Sequence, residues 1–124
     1  MSEGEHKKSM EEIGRNESIR VTIDKGAVVA EGDIDLAGGP LLDTAIMRLE
    51  ASGPVVIDLT AVEFIDSSGL RSLLTASRRA EGRNSVVVLR NPSAGVKRLL
   101  SITGTADQFQ IEDGDGSLAA GGEK

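Results

Sequence analysis

Two short runs of β-branched and aliphatic residues constrain the fold most strongly, and they lie at residues 55–59 and 85–89. Each run is nearly continuous in its apolar character, which predicts a central strand covered on at least one face. Between them, Leu70, Leu73 and Leu74 recur at helical spacing. Helices that alternate with buried strands indicate an α/β sheet.

The N-terminal half of the chain adds strands of a different kind. Ile19, Val21 and Ile23 alternate with polar residues, which predicts a half-buried strand. A tight turn at residues 25–26 and a second strand at residues 27–30 complete a β-hairpin. An opening hairpin makes the predicted sheet mixed.

Proline and glycine mark where the other helices begin and end. Pro40 suits the first turn of a helix that ends near Gly53, in the left-handed cap position. Asn91 as the capping residue and Pro92 in the first turn predict a further helix, which Gly104 ends.

The chain has 124 residues, which suits one domain. We assign residues 1–16 and 112–124 to flexible polar tails, the second Gly-rich and acidic, and residues 17–111 to the domain. The predicted fold is a mixed sheet of four to five strands packed with about three to four helices. Phe109 and Ile111 belong to the last short strand of this prediction.

Composition excludes several classes of function. The net charge is −6 and there are two Phe, no Trp and no Tyr, so nucleic-acid binding is disfavoured. The absence of cysteine removes disulfides and thiolate chemistry. No apolar run is long enough to span a bilayer, and the N-terminus has no secretory signal. We expect a cytoplasmic protein, monomeric when free, without cofactor or metal.

The most informative stretch is residues 58–70, which reads as a strand, a loop and a helix start. Loops after the carboxyl ends of strands are where α/β sheets place functional residues. Ser67 lies at or just before the helix N-terminus, where free N–H groups and the helix dipole favour an anion. In the simpler interpretation, Ser67 or Ser68 caps the helix and Gly69 eases a tight turn. The two interpretations are compatible.

Catalysis by this serine is disfavoured. Its neighbours do not form the G-x-S-x-G elbow, and the single histidine, His6, lies in the predicted tail. We therefore expect no enzyme. Asp33 and Asp35 could hold a divalent cation or act as an acid–base pair, but a solvated acidic loop is the simpler interpretation.

Three stretches in this order resemble the STAS domain family and, within it, the bacterial anti-sigma factor antagonists. They are residues 32–35 (Gly-Asp-Ile-Asp), residues 58–70 with Asp-Ser-Ser-Gly-Leu at the end, and residues 91–100 followed by Thr103 and Gly104. The resemblance spans about residues 18–111.

The resemblance implies a function in partner switching. In such antagonists the serine after the aspartate, here Ser67, is phosphorylated by an ATP-dependent anti-sigma factor kinase. The unphosphorylated form binds that kinase and frees the sigma factor. Partner-binding residues are expected at Asp33, Asp35, Asp66, Ser67, Ser68, Gly69 and Arg71.

Two residues depart from the family pattern. Asp33 stands where Glu is frequent, and Arg71 stands where many relatives carry a small residue, which puts a long cation beside the expected contact surface. An alternative function within the family is an unphosphorylated accessory subunit of a lipid-transport complex, or a stress-signalling scaffold. Phosphate transfer to Ser67 by a cognate kinase separates the two functions.

Overall fold

Seven strands in sequential order form one mixed sheet in the computed structural model, which describes residues 10–50, 53–113 and 117–118. The strands are β1 (Met10–Arg15), β2 (Ile19–Asp24), β3 (Ala27–Ile34), β4 (Val55–Ile65), β5 (Val87–Arg90), β6 (Gln110–Asp113) and β7 (Ser117–Leu118). The α-helices in these ranges are α1 (Gly39–Leu49), α2 (Ser67–Gly82) and α3 (Ala94–Ile102), and a 3₁₀ turn spans Ala106–Gln108.

The pairing directions confirm the predicted α/β class with a mixed sheet. β1, β2 and β3 pair antiparallel, β3 to β6 pair parallel, and β7 is antiparallel to β6. Each parallel connection contains one of the three helices. The prediction of four to five strands was too low, since six strands have four or more residues and β7 has two.

The additional strands lie at the ends of the chain, in segments assigned to tails. β1 pairs with β2 through its backbone, while most of its side chains are exposed, so no apolar pattern announces it. Glu112 and Asp113 belong to β6, and Lys97 Nζ lies 3.0 Å from a carboxylate oxygen of Asp113. The rest of the predicted tails, residues 1–9, 114–116 and 119–124, lies outside the described residues.

One face of the sheet carries the core, and all three helices pack on it. Val28, Ile57 and Leu89 are in register across three strands and are fully buried. Their helical counterparts are Leu42 of α1, Leu73 and Ala80 of α2, and Leu100 of α3. Each buried leucine contributes on the order of 1.5–3 kcal/mol, which holds the helices to the sheet.

β4 is longer than predicted, because residues 60–65 were interpreted as a loop. In the structure they continue the strand, with one extra residue in β4 at each of two places opposite β3. The partners are Val29 with Asp58 and Glu31 with Ala61 at the first place, and Gly32 with Val62 and Asp33 with Phe64 at the second. Buried residues therefore recur every third position, at Leu59, Val62 and Ile65, which hides the period of two.

β3 is also longer than predicted and places Asp33 in the strand. Gly32 makes this possible, with φ at +112° and with a Cβ position only 2.1 Å from the Ser18 carbonyl oxygen. Only glycine fits such a conformation and such an approach. The prediction of an acidic loop was therefore wrong for Asp33, whereas Asp35 follows the strand.

The helix starts agree with the prediction in part. Pro40 lies in the first turn of α1, as expected. The cap of α3 is Ser93, whose hydroxyl accepts from the Val96 N–H at 3.2 Å, and not Asn91 as predicted. Asn91 instead has φ of +57°, and its amide donates to the Thr60 hydroxyl at 3.2 Å.

An ion pair connects the end of α1 to α2. Arg79 donates to the carboxylate of Glu50 from two of its nitrogens, Nε to Oε2 and Nη2 to Oε1, each at 2.7 Å. Arg83 donates to the carbonyl oxygen of Glu50 at 2.9 Å. The hydrogen bond from Arg79 is the main reason why the pKa of Glu50 is lowered, although burial opposes it.

We expect Glu50→Gln to lower the free energy of unfolding at neutral pH. The pKa of Glu50 is lowered in the folded state, so the ionised carboxylate contributes fully to the free energy of unfolding above the ordinary carboxyl pKa. This contribution to stability is lost as the pH falls through the lowered pKa. Urea unfolding of both proteins across the acid range measures the difference, which should shrink toward zero in acid.

Glu81→Gln is the matched control, because Glu81 is exposed on α2 and forms no ion pair within the described residues. It should leave the unfolding free energy nearly unchanged at every pH. A difference between Glu50→Gln and wild type that stays constant into acid would contradict the assignment.

Candidate functional site

The N-terminus of α2 is capped by Asp66. Its Oδ1 atom accepts hydrogen bonds from the Ser68 N–H at 2.8 Å and from the Gly69 N–H at 3.0 Å. The expectation that a serine caps this helix was therefore wrong. It follows that these two N–H groups already have an anion as partner, which limits what else can bind there.

Ser67 is the first residue of α2, and its side chain is exposed. Within the described part of the chain, no hydrogen bond uses its hydroxyl. Ser68, by contrast, is half-buried and borders a cleft. The geometry thus leaves one of the two serines accessible to a partner.

Gly69 lies where α2 meets the sheet. A Cβ at this position would be 2.6 Å from Ile34 Cγ2, 2.7 Å from the Ile34 carbonyl oxygen and 2.9 Å from Ile65 Cγ2. Gly69 is helical, so its role is close packing and not the tight turn that was predicted.

Asp33 of β3 lies at the same edge of the sheet as the start of α2. Ile34 is in register with Ile65, and the Asp66 N–H donates to the Ile34 carbonyl oxygen at 3.1 Å. Asp33, which precedes Ile34, is exposed. The structure therefore brings together the two stretches that the sequence places about thirty residues apart.

Asp35 stabilises the turn that leads into α1. Its Oδ1 atom accepts from the Gly38 N–H at 3.0 Å, and its carbonyl oxygen accepts from the N–H groups of Gly38 and Gly39. The carboxylate is half-buried. Of the seven expected partner-binding residues, three shape the site through hydrogen bonds or packing (Asp35, Asp66 and Gly69), three are exposed (Asp33, Ser67 and Arg71), and Ser68 is half-buried at the cleft.

A shallow cleft of about 200 Å³ separates the starts of α1 and α2. Pro40 and Asp43 of α1 lie on one side, and Ser68, Arg71 and Ser72 of α2 lie on the other. Arg71 is exposed and forms no ion pair with any residue that the structure describes. The cleft therefore presents a cation that is not neutralised.

Two exposed apolar side chains adjoin the cleft and the end of β3, and neither was singled out from the sequence. Leu36, in the turn after β3, is 75% exposed and borders the cleft, and Phe64, in register with Asp33, is 54% exposed. Phe64 is one of only two aromatic residues, which was the available signal. Leu36 is a lone leucine between polar and small residues and gives none.

The described ranges contain no group of three or more His, Asp or Glu side chains able to hold a metal ion. None of the helices in the described part of the chain has both the length and the hydropathy needed to cross a membrane.

One protein-family model, described as "Mlab, STAS domain", matches residues 18–112 of the chain. The chain belongs to the STAS domain family. The matched region includes β2 to α3, and hence the whole edge of the STAS domain that carries Asp33, Asp66 and Ser67.

Individual relatives of this STAS domain are named as antagonists. This chain is 31% identical over 93 residues to the anti-sigma-B factor antagonist of Listeria monocytogenes, and the alignment covers 73% of this chain and 82% of the relative. An anti-sigma factor antagonist from Mycobacterium paratuberculosis has a TM-score of 0.60 and 28% identity over 76% of this chain and 83% of its own.

A third likeness concerns the fold alone. Phosphorylated SpoIIAA of Bacillus has a TM-score of 0.58 at 18% identity, covering 78% of this chain and 91% of its own.

Gly69→Ala should lower the free energy of unfolding by about 1–3 kcal/mol, because the new methyl group forces α2 away from Ile34. Gly82→Ala, at the other end of the same helix, is the control. Nothing lies within 4 Å of its Cβ position. It should be neutral or stabilising by up to about 1 kcal/mol. Equal unfolding free energies for the two variants in urea would contradict the packing role.

The capping role of Asp66 predicts a second contrast. Asp66→Ala should destabilise the protein by about 1 kcal/mol, since two N–H groups lose their acceptor. Ser67→Ala should change the unfolding free energy by less than about 0.5 kcal/mol. Thermal or urea unfolding checks both, and a larger loss in Ser67→Ala than in Asp66→Ala would mean that the serine caps the helix.

Proposed function

We propose that this STAS domain is an anti-sigma factor antagonist whose binding to an anti-sigma factor kinase is turned off by phosphorylation of Ser67. The observation that carries the proposal is the accessible Ser67 hydroxyl at the start of α2, beside Asp66, which caps the helix in its place. A kinase can modify such a hydroxyl without disturbing the helix cap.

The relatives support a regulatory binding protein. Two of them, at 31% and 28% identity, are named as anti-sigma factor antagonists, and both alignments cover more than two thirds of each chain. The family alone does not separate this function from that of an accessory subunit. Names at this level of identity favour the antagonist.

A phosphate on Ser67 would act on an interface and not on the fold. It adds about −1.5 to −2 charges at neutral pH. The hydroxyl is exposed, so the phosphate meets water and no core atom. Asp66 and Asp33 at the same edge repel it, and a partner would have to desolvate all three groups together.

The surface around Ser67 suits a protein partner. Leu36 and Phe64 offer exposed apolar area beside the cleft and the end of β3, and apolar side chains surrounded by a polar rim are typical of docking sites. Arg71 and Asp33 offer charges of both signs. The kinase supplies its own ATP, so the STAS domain needs no nucleotide site.

The first experiment is intact-mass spectrometry of the full chain from its native cells, with fragmentation to map the modified residue. One phosphate on Ser67 is expected, absent in Ser67→Ala and retained in the matched control Ser68→Ala. Loss of the phosphate only in Ser68→Ala would assign the phosphorylation to Ser68 and contradict the proposal for Ser67. Repeated absence of phosphate under growth, stress and recovery would favour the accessory-subunit function.

Binding to the anti-sigma factor kinase tests the second half of the proposal. Ser67→Ala should bind as tightly as wild type, because it removes one hydroxyl that forms no hydrogen bond in the described structure. Ser67→Glu should bind at least about tenfold more weakly, a change of about 1.4 kcal/mol. Equal affinities in calorimetry would contradict a charge-based switch.

A further inference from the structure

A phosphate on Ser67 would find few backbone partners at the start of α2. The N–H groups of Ser68 and Gly69 both donate to Asp66 Oδ1, at 2.8 Å and 3.0 Å. The Leu70 N–H donates to the Asp66 carbonyl oxygen at 3.0 Å. The Asp66 carboxylate also repels a second anion beside it. Compensation of the new charge is therefore left to a side chain.

Arg71 is the side chain in position to provide it. Residues four apart lie on the same face of a helix, with Cβ atoms about 5–6 Å apart, and an acid that precedes a base is the favourable order. Helical side chains lean toward the N-terminus, so the Arg71 side chain extends toward position 67. Both residues are exposed, so no packing has to be broken for them to meet.

Arg71 has no carboxylate partner among the described residues, and of the four arginines of which this is true (Arg71, Arg78, Arg83 and Arg98) it alone lies one helical turn from Ser67. Other arginines of the domain are paired. Arg79 pairs with Glu50, Arg90 with Glu112, and Arg20 with Glu12. Asp43 borders the same cleft as Arg71, yet no salt bridge joins them. A phosphate carries more charge than Asp43 and three oxygens that match the fork of the guanidinium group, so it is the stronger acceptor.

We infer that Arg71 binds the phosphate of phosphoserine 67 across one turn of α2, an inference that rests on the phosphorylation proposed above. The modification then has two effects on the docking surface. It adds an anion at Ser67, and it withdraws the unpaired cation of Arg71 from a partner. A kinase surface that presents a carboxylate to Arg71 loses that contact at the same moment.

The test uses the full chain with phosphoserine introduced at position 67 during translation, so no kinase is needed. The pKa of the phosphate is followed by ³¹P NMR in wild type, Arg71→Gln and Arg71→Lys. We expect Arg71→Gln to raise the phosphate pKa by about 0.3 pH unit at low salt. Arg71→Lys should give a phosphate pKa between those of wild type and Arg71→Gln. About 1 M salt should remove most of the difference in phosphate pKa between wild type and Arg71→Gln.

Arg78→Gln is the matched control, since it removes the same charge from an exposed position of α2. It lies eleven residues from Ser67, about 16 Å along the helix, and should leave the phosphate pKa at the wild-type value. The Arg71 Nε–H resonance should also shift on phosphorylation.

An unchanged phosphate pKa in Arg71→Gln, or equal shifts in Arg71→Gln and Arg78→Gln, would overturn the inference. Those results would leave Ser67 phosphorylation itself standing, which the mass measurement on native cells decides separately. Conversely, absence of phosphate in cells would remove the proposed function while the NMR shift still reported the side-chain pair.

Discussion

The first turn of α2 lies against the carboxyl ends of β3 and β4 at a distance that leaves no room for a side chain at position 69. Atoms of Ile34 and Ile65 occupy the space where a Cβ would stand. The same approach allows the Asp66 N–H to bond the Ile34 carbonyl oxygen, which joins the helix start to β3. The position of Ser67 relative to the acidic end of β3 follows from this contact.

The irregular pairing of β4 serves the same contact. β4 contains two more residues than β3 between the first pair, Ala27 with Val56, and the last pair, Ile34 with Ile65. These extra residues bring Ile65 opposite Ile34 at the end of the strands. The chain then reaches Asp66 with its carboxylate free to cap α2. Because the aspartate caps the helix, the hydroxyl of the neighbouring Ser67 is not used as a cap and stays exposed. Helix capping and an exposed hydroxyl thus belong to adjacent residues, Asp66 and Ser67.

Local pattern predicted the elements that bury one face. The hairpin of β2 and β3, the run at residues 55–59 and the leucines of α2 announced strands and helices correctly, because core burial imposes their period. β1 was not predicted because an edge strand is held by backbone hydrogen bonds and most of its side chains are exposed. The second half of β4 was not predicted because its extra residues break the alternation of buried and exposed side chains. The choice of Asp66 over the serines as cap was not predictable from the pattern, because Asp and Ser are almost equally preferred at this position and all three residues are adjacent.

The sequential strand order bears on how the domain forms during synthesis. Every strand pairs only with those before and after it in the chain, so each closure spans one turn or one helical crossover. Short closures favour rapid pairing, and domains emerging from the ribosome fold from their N-terminal side. β3, β4 and the start of α2 need no later segment for their mutual pairing. The edge that carries Ser67 can therefore be in place before β6 and β7 join the sheet.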